Sequence, residues 1–267
     1  MIAATDSGFQ VCVDPTNPGQ FLACCGLLEL AARLSNGAEG CFAGNLFRVS
    51  SGDPLSGVLA ALTRHVPDEI TELDGGLSVK PLIAPLRLSI DGDHAPLVLD
   101  SWMNIGVEKG VVVARANPPW NFWSGQQTSL RIWTSLRSAL VEQLKTLPPE
   151  TSDGLYSLRV PLSGRFGFDP GAAWNALDVG FSPNDQDMGV ASSPAVELLA
   201  AVGLQRFRPS VERDRESFFY ATWEKSLPPL VAAAAASGVT NISPGARFRG
   251  RVVSRGSYAA LGMSTPL

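Results

Sequence analysis

The sequence predicts an α+β fold, in which strands and helices alternate irregularly along the chain. Of its 267 residues, 45% are hydrophobic and 17% are charged, which is enough apolar material for a substantial core. Two apolar segments begin with proline as helices do, and short apolar stretches end at Gly, Pro or Asp as strands do. A polar break at 150–154 divides the chain into halves 1–149 and 150–267, although the same elements also fit one continuous domain.

In the N-terminal half, the clearest signal is Asn17-Pro18, a helix cap followed by proline in the first helical position. It predicts a helix over 21–34 that ends at Gly37. The other elements follow from alternation, three-and-four spacing and turn residues. They are strands over 9–13, 41–50, 86–91, 96–102 and 111–113, and helices over 54–65 and 130–147.

The C-terminal half repeats this helix cap followed by proline at Ser193-Pro194, which predicts a helix over 195–207. Its remaining elements are strands over 156–160, 218–223 and 246–254, and a helix over 228–236. The words Leu22-Ala-Cys-Cys-Gly-Leu27 and Leu199-Ala-Ala-Val-Gly-Leu204 share the pattern LAxxGL. This echo indicates either a diverged duplication or two helices that pack through a small residue.

Charge is distributed unevenly around a net value of −4. Residues 201–267 carry nine Lys and Arg against four Asp and Glu, and from Val239 onwards there are four arginines and no acidic residue. Any contact with a polyanion is therefore expected at the C-terminal end.

The predicted last strand places its arginines on one face, because they fall at alternate positions. These are Arg247, Arg249, Arg251 and Arg255. A row of guanidinium groups suits a phosphate backbone, whereas the alternative is a solvated strand made basic for solubility. Arg206 and Arg208 add to the local positive charge and are predicted to assist.

The loop over 115–127 is rich in proline and aromatic residues. Trp120, Phe122 and Trp123 are candidates for a protein interface, for base stacking or for the core. The sequence leaves these alternatives open, with interface or core favoured over nucleic acid.

Signals for catalysis are scarce, because the phosphate-loop, nucleophile-elbow and zinc-helix motifs are absent. His94 with Asp91, Asp93 and Asp100 would suit a metal or an acid–base pair, but a hairpin turn explains these residues better. A second acidic group, Asp178, Asp185 and Asp187, is also explained by a turn. The sequence therefore predicts no enzyme activity, no metal and no cofactor.

Four cysteines lie among the first 41 residues without metal-ligand spacing, and buried free thiols are the expected reading. Apolar stretches fall short of a membrane span, so we expect a soluble, cytoplasmic protein.

Two segments carry a resemblance to a known family. The first is Asp14-Pro-Thr-Asn-Pro-Gly-Gln-Phe-Leu-Ala-Cys-Cys-Gly-Leu-Leu-Glu-Leu-Ala together with Ala38-Glu-Gly, and the second runs from 173–185 through 194–209. Together they resemble the small CRISPR-associated proteins of subtype I-G (formerly I-U), in the Csb group.

The resemblance implies a non-catalytic subunit of a type I-G CRISPR antiviral effector complex. Its partners would be other effector proteins and guide RNA or target DNA, and its fold a divergent ferredoxin-like core similar to RNA-recognition domains. The alternative is a protein–protein adaptor that links the complex to its helicase–nuclease without touching nucleic acid. A metal-dependent enzyme built on His94 is the least favoured function.

Overall fold

The computed structural model describes residues 8–90, 95–123, 127–146, 154–162, 164–170, 190–239, 242–255 and 258–267. Five α-helices lie in these ranges: α1 (Pro18–Leu34), α2 (Leu55–Arg64), α3 (Ser129–Thr146), α4 (Pro194–Arg206) and α5 (Pro229–Ala236). A 3-10 turn spans Pro81–Ile83. The mixed α+β class is confirmed.

The strands are short and pair only with antiparallel neighbours in the described ranges. They are β1 (Gly8–Cys12), β2 (Glu39–Ala43), β3 (Leu46–Ser50), β4 (Asp68–Glu69), β5 (Glu72–Leu73), β6 (Leu77–Ser78), β7 (Leu86–Leu88), β8 (Leu97–Leu99), β9 (Met103–Glu108), β10 (Val111–Ala116), β11 (Val160–Leu162), β12 (Val190–Ser192), β13 (Ser210–Val211), β14 (Ser217–Ala221), β15 (Arg247–Arg255), β16 (Tyr258–Leu261) and β17 (Thr265–Pro266). The largest sheet in these ranges has the order β13-β14-β15-β16, with β17 also paired to β15. Two three-stranded sheets have the orders β1-β3-β2 and β4-β7-β8. A ferredoxin-like core is not confirmed by these orders.

Both proline-initiated helices begin as predicted. The Asn17 side chain accepts a hydrogen bond from the backbone N–H of Gln20 at 3.0 Å, and the Ser193 hydroxyl accepts one from Val196 at 3.4 Å. Each cap satisfies an N–H group that the first helical turn leaves without a backbone partner.

Helices α1 and α4 pack directly on each other through the two glycines of the LAxxGL words. A Cβ atom added to Gly26 would lie 2.1 Å from the carbonyl oxygen of Leu199, and one added to Gly203 would lie 2.1 Å from that of Leu22. Only glycine permits such a close approach of two helix backbones. The structure thus confirms packing through a small residue, and the duplication stays a prediction.

The two helices run parallel. Gly19 faces Val196, Gly26 faces Gly203 and Glu29 bonds Arg206, so that contacting residues advance together along both helices at a separation of 177 residues.

The core joins both halves of the sequence. One cluster of buried side chains includes Phe21 of α1, Trp133 of α3, Leu199 of α4 and Tyr220 of β14. The Phe21 and Tyr220 ring centroids are 4.4 Å apart. The predicted boundary between the halves falls in 147–153, which lies outside the described residues.

Several predicted elements require correction. The single strand over 41–50 is a hairpin of β2 and β3, because Gly44 adopts φ +63° and reverses the chain. The short strand over 111–113 is the second half of a longer hairpin, β9–β10, which turns at Lys109 (φ 50°) and Gly110 (φ 81°). The strand predicted over 156–160 is β11, and it begins only at Val160.

None of the helices in the described ranges combines the length and apolar character that a bilayer span requires.

Candidate nucleic-acid interface

The last long strand, β15, places three of its four arginines on one face, as the alternation predicts. Phe248 and Gly250 are buried, whereas Arg247 and Arg251 are exposed and Arg249 between them is half-buried. On the core side, Phe248 stacks on Tyr220 at a centroid distance of 5.2 Å. Arg247, Arg249 and Arg251 therefore point away from the core on a shared face, here called the arginine face.

Neighbouring strands complete the arginine face. Arg249 pairs in register with Phe219 of β14 on one side and with Thr265 of β17 on the other. Arg247 and Arg251 lie opposite the small residues Ala221 and Ser217, so no bulky neighbour on β14 covers them. Arginines two positions apart are about 7 Å apart along a strand, so the face presents evenly spaced cations.

Arg249 is held in place by two contacts. Its Nη2 lies 3.0 Å from Glu212 Oε2, and its guanidinium carbon lies 5.7 Å from the centre of the Phe219 ring. A nearby turn is also ordered, because Asp214 accepts hydrogen bonds from the backbone N–H groups of Glu216 and Ser217, which lower the pKa of its carboxyl group. The middle arginine is thus fixed in position, while Arg247 and Arg251 flank it with exposed side chains.

Arg255 ends β15 opposite Tyr258, but its side chain lies outside the described residues.

Arg206 does not join the arginine face. Its guanidinium group binds the buried carboxylate of Glu29, with Nη2 3.2 Å from Oε1, and Arg33 binds the same carboxylate at 2.8 Å. Burial would raise the pKa of Glu29, but the hydrogen bonds from the two arginines outweigh it and hold the pKa below its usual range. Arg206 is therefore part of a structural ion pair, and the prediction that it binds phosphate has no support in this geometry.

Arg208 is neither as firmly paired as Arg206 nor part of the arginine face. Its side chain is 59% exposed and its Nη2 is 3.7 Å from Asp100 Oδ1, which makes a loose surface pair. Phosphate could displace such a pair at little cost, because exposed ion pairs contribute only about 0–1 kcal/mol.

The three aromatic side chains of the loop over 115–127 are buried. Trp120, Phe122 and Trp123 belong to the core, and Trp123 Nε1 donates a hydrogen bond to the Leu82 carbonyl at 2.8 Å. Phe122 meets Phe168 edge-on at 5.9 Å. Of the alternatives that the sequence left open, the geometry matches the core, since these rings offer little surface to a partner or to a base.

A buried acidic group that the sequence analysis missed lies at the start of α4. The Glu197 carboxylate accepts hydrogen bonds from the backbone N–H groups of Gly167, Phe168 and Asp169 at 2.9, 3.3 and 3.0 Å. Burial raises the pKa of Glu197 even though these bonds favour the charged form. Because its oxygens are engaged by the loop, Glu197 fastens that loop to the helix.

No metal centre is found in the described ranges, where no group of three or more His, Cys, Asp and Glu side chains is placed to hold an ion. Asp91, Asp93 and His94 lie outside the described residues, as do Asp178, Asp185 and Asp187. Cys24 and Cys25 are buried, and burial raises the pKa of both thiols, as expected for structural cysteines.

Comparison with protein-family models, curated proteins and solved structures found no match.

The structure also exposes a surface that no sequence motif indicated. The β9–β10 hairpin carries the exposed side chains of Ile105, Val107, Val111 and Val112. Apolar residues alternate at Met103, Ile105 and Val107, and this pattern is the signal that could have predicted the first strand of the hairpin.

Proposed function

We propose that this chain is a non-catalytic, cytoplasmic subunit of a type I-G CRISPR effector complex, and that its arginine face contacts the backbone of guide RNA or target nucleic acid. The observation that carries this proposal is the open position of Arg247 and Arg251 on either side of the anchored Arg249.

Backbone contact fits the chemistry of this face. A guanidinium group donates paired hydrogen bonds to phosphate oxygens and stays charged at every physiological pH. Phe219, half-buried beneath Arg249, adds an apolar ring to the same face. In guide-RNA complexes base pairing reads the sequence, so protein subunits need to recognise only backbone and shape.

The resemblance supports the choice of complex. The described parts of its two segments form α1 with its cap and α4 with its cap, which are the helices that pack through Gly26 and Gly203. Tight packing restricts these positions to small residues, so a match there agrees with a shared fold.

The adaptor function is the alternative, and it draws on the acidic net charge of −4 and on the three aromatic residues of the loop over 115–127. The burial of Trp120, Phe122 and Trp123 removes the second of these two supports. An adaptor would co-purify with the helicase–nuclease and without guide RNA, whereas an effector subunit would retain processed guide RNA in a stoichiometric complex after a high-salt wash.

A double substitution tests the arginine face directly. We expect Arg247→Ala with Arg251→Ala to weaken binding of labelled single-stranded RNA and to reduce the slope of log K against log salt by about 1.4, because each lost phosphate contact removes about 0.7. Fluorescence anisotropy at several salt concentrations measures both quantities.

Arg87→Ala is the matched control, because Arg87 is an exposed arginine on β7 of another sheet. It should leave affinity and slope unchanged. The assignment is wrong if the double variant binds like the original chain, or if the Arg87 variant loses as much affinity as the double variant.

A further inference from the structure

Two sheets of the molecule are joined along one edge. The backbone that follows β14 runs beside β2, where Gly40 and Leu227 exchange hydrogen bonds at 3.0 Å and the Phe42 N–H donates to the Trp223 carbonyl at 2.8 Å. The strand order β1-β3-β2 is therefore continued by the chain after β14, and β14 itself pairs with β15. The strand that carries the arginine face is thus part of a larger joined sheet.

The aromatic core fixes which side of the joined sheet faces outward. Phe42 of β2 and Tyr220 of β14 both pack on Phe21 of α1, at centroid distances of 5.6 and 4.4 Å. Their partners in register are the residues just before Arg48 on β3 and just before Arg249 on β15. Because alternate residues of a strand point to opposite faces, Arg48 and Arg249 both point away from α1.

A cleft of about 580 Å³ opens on this outer side, over β1, β3 and β2. Sites for small ligands typically have volumes of about 300–1,000 Å³. In the register, Gln10 and Cys41 lie on either side of Arg48, and the bridge at Gly40 places Cys41 opposite Ser226. The side chains that line the cleft include those of Phe9, Gln10, Cys41, Arg48, Ser50 and Ser226.

The cleft combines groups that suit a nucleotide. Arg48 is exposed and, among the residues that the structure describes, it enters none of the ion pairs, so its guanidinium group is open to a phosphate. The side chains of Gln10 and Ser226 are also exposed, and each offers both a donor and an acceptor. Such groups match the mixed donors and acceptors on the edges of unpaired bases.

The charge of the cleft favours a nucleotide within a strand over a free anion. Glu39 is half-buried and pairs with Ser50, which is two positions from Arg48 on β3. Its carboxylate offsets the charge of Arg48, so the cleft attracts a free phosphate only weakly. A strand already held by the arginine face needs little further attraction, because it supplies its own nucleotides at a high effective concentration.

The arginine face is close enough for one strand to reach both sites. Arg247 pairs with Ala221, which is five residues from Ser226, and β15 is three strands away from Arg48. At about 3.4 Å per residue and about 5 Å per strand, Arg48 and Arg247 are about 20 Å apart. Protein sites for single strands cover about 4–16 nucleotides, so one such site can include the cleft and the arginine face.

We infer that the cleft binds one unpaired nucleotide of the strand whose backbone lies on the arginine face. Arg48 contacts the phosphate of that nucleotide, and Gln10 and Ser226 contact the edge of its base. The inference rests on the proposed function for the strand itself. It specifies a single strand, because a base in a duplex is stacked and paired and would have to be extruded before it could enter.

Arg48→Ala tests the phosphate contact with a labelled 15-nucleotide oligouridine. We expect the affinity to fall about five- to tenfold and the slope of log K against log salt to fall by about 0.7, as for one phosphate contact. Gln10→Ala should lower the affinity about threefold and leave the slope unchanged, since the lost group is uncharged. Arg87→Ala, the control used for the arginine face, should change neither quantity.

Alkylation of Cys41 by a maleimide gives a second readout, because this half-buried thiol lines the cleft. Cys12 is the matched control, since it is also half-buried on the outer side of the same sheet but does not line the cleft. Because thiol reactivity depends on access, bound oligouridine should slow the alkylation of Cys41 about fivefold or more and that of Cys12 less than about twofold. Mass spectrometry of the two peptides measures both rates.

Three results would overturn the inference: Arg48→Ala behaving like Arg87→Ala, oligouridine protecting Cys12 as strongly as Cys41, or free uridine monophosphate protecting Cys41 as well as the oligomer at equal concentration. If the double arginine variant loses affinity while Arg48→Ala does not, the arginine face stands and the cleft fails. If Arg48→Ala loses affinity while the double arginine variant binds normally, the proposed contact on the arginine face fails and the cleft is retained as the RNA site.

Discussion

Arg206 and Arg251 were both predicted to bind phosphate, yet the structure gives them opposite surroundings. Arg206 ends α4 and binds the carboxylate of Glu29, which lies on α1 and is only 3% exposed. Arg251 lies on the arginine face opposite Ser217 and is exposed. The Arg206 guanidinium group is engaged in an ion pair that joins two helices, whereas the Arg251 side chain is exposed to solvent and accessible to a ligand.

The difference shows at which positions the sequence predicts whether a charged side chain is available to a ligand. On a strand, alternation alone decides which residues share a face, so the arginine face follows from parity. At a helix end, availability depends on the element packed alongside, and Glu29 is 177 residues away in the sequence. The two LAxxGL words place Gly26 against α4, and that contact also brings Glu29 to Arg206.

Of the variants that test this comparison, Gly26→Ala should cause the largest change in the free energy of unfolding. The added methyl would lie 2.1 Å from the Leu199 oxygen, so the helices must separate and the Glu29–Arg206 pair must stretch. We expect the free energy of unfolding in urea to fall by about 2 kcal/mol or more, since overpacking outweighs the roughly 1 kcal/mol gained in helix propensity.

Gly57→Ala in α2 serves as the control, because its nearest neighbour would be Pro54 Cδ at an ordinary 3.6 Å. This variant should be neutral or more stable by up to about 1 kcal/mol. Equal stability changes in the two variants would refute the close contact between α1 and α4.

A smaller effect should follow from Glu29→Gln, which leaves Arg33 and Arg206 without a carboxylate. Because the Arg206 side chain is 37% exposed and can be hydrated, we expect a loss of about 1–3 kcal/mol in the free energy of unfolding at pH 7. Glu142→Gln, in the exposed pair with Lys145, should cost at most about 0.5 kcal/mol.

The Glu29 contribution should also depend on pH in a defined direction. Its pKa is lowered by folding, so the stabilisation is present above the unfolded pKa of about 4.3 and is lost as pH falls through the folded value. The difference between the original chain and Glu29→Gln should therefore shrink on acidification. A difference that stays constant from pH 7 to pH 3 would contradict this account.

The smallest effect is expected for Arg208→Ala. Its pair with Asp100 spans 3.7 Å and both side chains are about half exposed, so stability should change by less than about 0.5 kcal/mol. Its loss of RNA affinity should be smaller than that of Arg251→Ala under the same salt conditions. An equal loss would extend the arginine face to Arg208.

Much of the backbone was predictable because its signals are local. The caps at Asn17 and Ser193, the prolines that follow them, and the alternation around Phe248 each act within a few residues. Strand β9 was not among the predicted strands, although Met103, Ile105 and Val107 alternate with Asn104 and Gly106 in the same way.

The burial of the aromatic rings in the loop over 115–127 was not predictable from such local signals. Trp120 packs on Phe218 and Trp123 on Phe166, with centroid distances of 5.4 and 5.2 Å, and both partners are distant in sequence. Whether a ring lies in the core or on a surface depends on such partners, which composition does not reveal. The exposure of Ile105, Val107 and Val112 on the β9–β10 hairpin was not predictable either, because it also depends on which distant residues pack beside them.

The parallel course of α1 and α4 sets conditions on synthesis and folding. Antiparallel helices can join through a short turn, but these two are separated by about 160 residues, from the end of α1 at Leu34 to the start of α4 at Pro194. At about 5–20 residues per second, the ribosome needs roughly 8 to 32 seconds to make that stretch. Throughout this interval α1 has no α4 to cover Leu22 and Cys25. Contacts of such long range also slow folding in general, so the glycine contact that fits the helices so closely is one that the new chain completes late.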